Sequence, residues 1–334
     1  MATPTIPNGE EYFFPIIYEG NGAGQRVGKF VPFTDNGTIA NSVLFNDDDD
    51  AYLARTFSTP TNNKKWTYSV WIKRGALGTD QAIMSADYDG ASYWDMRFNT
   101  SNQIYIQNRI GSSNILLANT TRTFEDTSKW YHLVFVYDSD NSTSTSRAIL
   151  YIDGDIQTLS AYPSSGDASA YNVNSEPHHI GVSRTADASG AIWSEFDGYF
   201  AEANFVDGTA LTPSTFGLTD TSTGRWIPKT LSSITYGTNG FRLEFGDSSA
   251  LGDDTSGNTN DFSVNGLTAS DQTTDSPTQL FATLNANPDT GGTLSEGNLS
   301  LVTNNTGFNV KLATLKPKSG KYYAEFTIGS GGYG

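Results

Sequence analysis

The residues best suited to chemistry are a few carboxylates, three histidines, and aromatic rings that stand beside polar groups. Cleaving a glycosidic bond takes two carboxylates flanking the bond. The chain offers Glu195-Phe196-Asp197 and, further on, Glu202. Side chains alternate along a strand, so Glu195 and Asp197 share a face with Tyr199 while Glu202 faces the other way. They read as ordinary strand and turn carboxylates, and no enzyme is expected. His178 and His179 are adjacent and point to opposite faces. His132 sits in an apolar run, as a packed core histidine does. No G-x-S-x-G nucleophile elbow is present.

Hard oxygen ligands gathered in turns are what Ca²⁺ takes. Asp47–Asp50, Asp87 with Asp89, and Asp253-Asp254 with Asn258 and Asp261 have that character. The last group is the best calcium candidate, because Gly257 permits a tight wrap. Sugar binding takes an aromatic platform beside polar groups. Tyr88, Tyr93, Trp94 and Asp95 form one such mixture, and Trp193 with Ser194 another. Neighbours on a strand face opposite ways, so one of Tyr93 and Trp94 belongs to the surface. The candidate ligand-binding residues are therefore Tyr93, Trp94, Asp95 and Trp193.

These residues lie on short alternating segments. Trp66, Tyr68, Val70 and Ile72 alternate with Thr67, Ser69, Trp71 and Lys73, giving a strand with one apolar face. Further strands are expected at Gln81–Ala86, Tyr93–Phe98, Ile104–Ile110 and Ile115–Leu117. Trp130–Tyr137 is apolar on both faces, as in a central strand covered from both sides. Ala148, Leu150 and Ile152 lead to Asp153-Gly154, a hairpin turn. Tyr199, Ala201, Ala203 and Phe205 are expected on one face of the next long strand. Thr212-Pro213 opens one short helical turn. Many short strands without helical period mean an antiparallel β-sandwich. Trp66, Val70, Val134, Val136, Leu150, Ile152, Phe205 and Leu243 are its expected core.

Aromatics at 13% supply a core rich in rings, and only 17% of residues are charged, which suits strands and turns. The net charge of −16 repels phosphate, so no nucleic acid partner is expected, and docking on anionic membrane is disfavoured. No run approaches a membrane span, so membrane insertion is not expected. Cysteine is absent, which excludes disulfides and thiolate metal sites. No signal peptide is read at the N-terminus.

The first residues differ in kind. Proline and glycine recur too often for a helix, yet Tyr12, Phe13, Phe14, Ile16 and Ile17 are strongly apolar. Residues 1–41 read as an extended attachment arm whose rings seek another protein surface. Residues 42–262 form the sandwich and 263–300 a polar linker wrapped on it. Residues 301–334 begin a second β-module.

Four stretches carry a resemblance: Lys64–Gly75 (KKWTYSVWIKRG), the Trp130-Tyr131-His132 strand, the Tyr151–Gly154 turn, and Phe196–Phe216. Together they resemble the concanavalin A-like lectin/glucanase jelly-roll sandwich in its laminin G-like branch. Pro317–Ile328 (PKSGKYYAEFTI) resembles the opening of a SPRY domain. Trp66–Gly75, Phe205–Gly217 and Ser256–Asp261 (SGNTND) resemble bacteriophage virion proteins. That resemblance implies a tail fibre or appendage in the virion, assembled in the bacterial host cytoplasm. The implied partners are other virion proteins, further copies of the chain as a homotrimer, and a host surface glycan. Calcium at a loop rim is implied by the laminin G-like likeness. Glucanases of this fold carry Glu-x-Asp-x-(x)-Glu on one strand, and here Glu202 falls about two positions late. A carbohydrate-active enzyme and a capsid-decorating protein without host contact stay as the alternatives.

Overall fold

The structure is a computed structural model. It describes residues 37–87, 90–184, 191–221, 223–279, 281–286, 292–303, 311–315 and 325–327. The apolar group from Tyr12 to Ile17, as well as Tyr88, Asp89 and most of the SPRY-like stretch, lies outside them.

Alternation of β-formers with turn residues every few positions sets the strands. In chain order they are β1 Ser42–Phe45, β2 Tyr52–Thr56, β3 Lys65–Arg74, β4 Gln81–Asp87, β5 Tyr93–Phe98, β6 Gln103–Ile110 and β7 Ser113–Thr123. Then come β8 Tyr131–Asp138, β9 Ala148–Ile152, β10 Asp155–Gln157, β11 Pro177–Ile180, β12 Ser183–Arg184, β13 Ile192–Trp193 and β14 Gly198–Asp207. Shorter pieces follow: β15 Gly217–Thr219, β16 Trp226–Pro228, β17 Phe241–Leu243, β18 Ser263–Asn265 and β19 Gln272–Thr273. Among the described residues, helix is limited to single 3-10 turns, one of them at Pro213–Thr215 after Thr212.

Two antiparallel sheets pack face to face. One runs β10-β9-β8-β3-β14-β1-β19, with β17 also on β14; the other runs β18-β2-β11-β4-β5-β6-β7. The core between them is built of rings. Trp66 is fully buried, stacked near-parallel on Tyr137 (5.7 Å, 15°) and edge-on to Trp94 (5.1 Å, 76°). Phe205, Leu243, Leu150, Ile152 and Val70 share this core, whereas Val134 and Val136 are buried on the far side of the first sheet. That sheet is covered on both faces. Phe216, Tyr236 and neighbouring residues of 211–236 pack over one part of its outer side, and Ile39, Trp130 and Asp275 over another, which is why Thr67, Ser69, Trp71 and Lys73 are buried too.

One expectation about β14 is corrected. Tyr199 and Ala201 lie on the outer side, but Ala203 and Phe205 face the core. The pairing of β14 with β3 shifts register between Ala201 and Asn204, and Glu202 adopts φ 48°. A bulge adds one residue to the strand, and one residue inverts every later side chain. Glu202 therefore does not oppose Tyr199; it faces outward beside Asn204, on the same side of the sheet.

The segments read as arm and linker hold the sandwich at both edges. β18 pairs with β2, and β19 with β1. Asp275 forms a buried ion pair with Lys73 at 2.7 Å and accepts the Trp130 indole N–H at 3.3 Å. Ser276 and Thr278 hydroxyls donate to the Ile39 carbonyl, and Ile39 is itself buried. Residues 37–41 are thus packed on the domain.

Candidate functional site

The sequence motifs turn out to be scaffolding. Asp207 is 2% exposed, and its carboxylate accepts the backbone N–H groups of Thr61, Asn62 and Asn239 and the Asn172 amide. It gathers three loops at one end of the sandwich. The calcium expectation at Asp253, Asp254, Asn258 and Asp261 is corrected by the same logic. Asp254 takes four donors: the N–H groups of Arg242, Ser256 and Asn260, and the Ser256 hydroxyl. Asp261 accepts the Asp254 N–H. Asn258 turns its amide nitrogen inward, to the carbonyls of Gly237 and Gly240. Asp253 is exposed. Arg55 donates to Asn260 and to the Asp261 carbonyl, supplying the positive charge a cation would bring. Lone pairs already taken by donors cannot ligate a metal. Among the described residues no group of three acidic or histidine side chains is placed to hold one.

The carboxylates and histidines weighed for catalysis each sit among structural partners. Asp197 is 4% exposed, tucked against Gly75, where a Cβ would lie 2.7 Å from its Oδ1. Burial pushes its carboxyl up to about 7, helped by Asp47, Asp48 and Glu296. Glu202 is paired at 2.6 Å with Arg242. Ser69 lies 2.9 Å from His132 Nε2, the spacing of a nucleophile and its base. However, the Trp226 indole N–H donates to His132 Nδ1 at 2.8 Å. The proton of the neutral ring therefore sits on Nε2, which donates to Ser69 and cannot take its hydrogen. Burial also holds His132 down to about 3, too weak a base for that work. His178 is fixed alike: it stacks on Phe57 at 3.7 Å, and Nε2 accepts the Asn172 N–H.

The structure divides the candidate ligand-binding residues between core and surface, with two corrections. Trp94 is 1% exposed and belongs to the core against Trp66. Strand alternation then puts Tyr93, Asp95 and Arg97 on the outer face of the second sheet. β6 presents Tyr105, Gln107 and Arg109 opposite them: Arg97 faces Tyr105, Asp95 faces Gln107, and Tyr93 faces Arg109. β13 brings Trp193 alongside, paired to Ser183.

Arg97 is the centre of this patch. Its guanidinium lies 4.2 Å from the Tyr105 ring centre and 5.9 Å from that of Trp193. It is ion-paired to Asp95 and reaches Asp80 at 3.5 Å. Asp95 itself is 2% exposed and also accepts the Ser183 hydroxyl at 2.9 Å. Asp95 thus positions Arg97 and does not face a ligand, the second correction. The Tyr105 hydroxyl donates to Gln107, whose amide donates to Asn114 at 2.8 Å. Burial raises the Tyr105 phenol, and Arg97 opposes this. Arg109 lies 5.7 Å from the Tyr93 ring centre. Trp193 is 40% exposed, a large indole left in water.

The outcome is a rigid surface of aromatic rings and fixed hydrogen-bonding groups, suited to binding. Sequence reasoning named Tyr93 and Trp193, which lie on this surface, but not Arg97, Tyr105, Gln107 and Arg109. Their signal was the shared polar phase of two consecutive strands, Tyr93-x-Asp95-x-Arg97 and Tyr105-x-Gln107-x-Arg109.

Comparison with known proteins bears on the fold. Among solved structures, the chain resembles a heptameric SAP-like pentraxin of Limulus polyphemus (16% identity, TM-score 0.39, covering 53% of this chain and 80% of that one). It also resembles a protein of Bacteroides ovatus (17%, 0.48, 72% and 62%) and the LG4-5 domains of the mouse laminin α1 chain (14%, 0.39, 60% and 48%). The last two matches span less than two thirds of those chains. Likenesses at this level say nothing of a ligand. No curated protein matches. The family profile described as the concanavalin A-like lectin/glucanases superfamily matches residues 46–215, just over half of the chain, from the turn after β1 to the 3-10 turn after β14. With two antiparallel sheets packed as a sandwich over that span, the chain belongs to the concanavalin A-like lectin/glucanases superfamily.

Proposed function

We propose that this chain is a structural protein of a phage particle, a tail fibre or appendage whose sandwich adheres to host surface glycans. The observation that carries the glycan reading is the patch of Trp193, Arg97, Tyr105 and Gln107. A sugar ring offers an apolar face to an indole and hydroxyls to fixed polar groups, and the patch presents both on one surface. The particle role is supported by the virion-like wording of Trp66–Gly75, Phe205–Gly217 and Ser256–Asp261.

In this reading an arm within residues 1–41 attaches the chain to other virion proteins, and 301–334 opens a second module. The assembly is a homo-oligomer, since closed symmetry hides sheet edges that would otherwise pair at random, and the resemblance to virion proteins makes it a trimer. Glycan-array screening of the purified chain beside Trp193→Ala tests the adhesive role. Binding should fall at least roughly tenfold in the variant, since indole contacts dominate such surfaces, with the melt unchanged. Equal binding by both proteins refutes the patch. Immunogold labelling of purified particles tests the location, and absence of label on intact particles refutes the virion role.

A further inference from the structure

A second site lies on the other sheet, away from the aromatic patch. A cavity of about 290 Å³ opens over the outer face of the β3-β14 pair. Ser69, Trp71, Glu202 and Asn204 line it from the sheet, and Phe216 and Leu231 from the covering loops. The bulge described above creates its chemistry. A left-handed glutamate in a central strand is strained by about 1–3 kcal/mol, and bulges recur where a strand re-aims a side chain at a site.

The polar groups are matched to each other. Glu202 Oε1 accepts from Arg242 Nε at 2.6 Å and from the Asn204 amide at 3.4 Å. Among the described residues, Oε2 accepts no hydrogen bond and remains as an acceptor at the cavity wall. Ser69 Oγ already accepts the His132 Nε2 proton, because Trp226 fixes that tautomer. Its own hydrogen is left to donate. Ser69 pairs in register with Asn204, two residues from Glu202, and donor and acceptor line the same cavity. Arg242 is taken up by Glu202 and by Glu244 at 2.8 Å. Lys229, which also lines the cavity, donates its ammonium to the Ser214 carbonyl, and the Glu202 carboxylate disfavours an anion. The volume lies at the lower end of small-molecule pockets and suits one sugar ring.

We propose that this cavity binds a neutral polyhydroxy compound of single-ring size, with Ser69 donating to one hydroxyl oxygen and Glu202 accepting from its neighbour. The site does not depend on the patch or on the particle role.

The test uses the full chain and a panel of neutral monosaccharides (glucose, galactose, mannose and N-acetylglucosamine), followed by saturation-transfer NMR and calorimetry. At least one should bind. Glu202→Gln keeps the side-chain shape and should weaken binding roughly tenfold, the scale of one hydrogen bond to a charged group. Leu231→Trp fills the cavity from a loop and should abolish binding while leaving the melt in place. Failure of every sugar, or binding retained in both cavity variants, overturns the proposal. Binding lost only in Trp193→Ala assigns the sugar to the outer patch and overturns it equally.

Discussion

Asp197 offers a direct measure of how this sandwich treats a buried charge. Its carboxyl is 4% exposed, crowded by Gly75 and surrounded by Asp47, Asp48 and Glu296, with Arg74 as the opposing charge. The unfolded chain releases this proton near 3.8 and the folded one near 7. Between those values the native state holds the extra proton, so raising the pH lowers native stability. The loss is small below pH 4 and complete above pH 7. At about 1.4 kcal/mol per pH unit, the full penalty is at most about 4 kcal/mol. Asp197→Asn removes the charge and keeps the shape. The variant's advantage over the parent should grow by up to about 3 kcal/mol from pH 4.5 to pH 8. For a domain of this size, that is a widening of roughly 6–12 °C in melting temperature. Calorimetric melts of both proteins at the two pH values, in chelator, give the comparison. His132 and His178 are held down to about 3 by burial and titrate the opposite way, losing stability as pH falls below 6.5. Both proteins carry them, so the difference cancels their effect. An equal gap at both pH values would falsify the account of Asp197 as a penalised charge.

Three further outcomes are expected. Asp275→Ala strands the buried Lys73 ammonium and frees the 272–279 clasp, and chemical denaturation should show a loss of about 3–5 kcal/mol, whereas a loss under about 1 kcal/mol would mean the pair is dispensable. Gly75→Ala sets a methyl 2.7 Å from Asp197 Oδ1 and should cost about 1–3 kcal/mol by overpacking; an unchanged denaturation midpoint would contradict the contact. Deleting residues 1–36, before the buried Ile39, should leave a folded domain that no longer enters particles, and normal incorporation of the truncated chain would place attachment elsewhere.

Much of the fold was legible because strand alternation is a local property. The apolar phase of Trp66 to Ile72, the doubly apolar Trp130–Tyr137 and the Thr212-Pro213 turn each follow from neighbouring residues alone. A lack of cysteine and a net charge of −16 likewise bound the chemistry without any structure. The sequence also narrowed the surface site to Tyr93 or Trp94, since one of two neighbours must face out.

The tertiary structure decided which. Trp94 faces inward because Trp66, Phe135 and Tyr137 form the pocket that receives it, and those rings come from strands of the opposite sheet. The bulge at Glu202 is invisible in a run such as Ala201-Glu202-Ala203-Asn204, because any register is locally acceptable there. Only pairing with β3 on both sides of it, and with β1 on one stretch and β17 on the next, reveals the extra residue. The acidic turn at 253–261 reads as a cation site until Arg55, some two hundred residues earlier, is seen to supply the charge. Asp275 looked like linker and became a buried counter-ion to Lys73, since a charge hidden by packing needs a partner brought from afar. Alternation is written into each segment, but partners distant in the chain are chosen only when the sheets close.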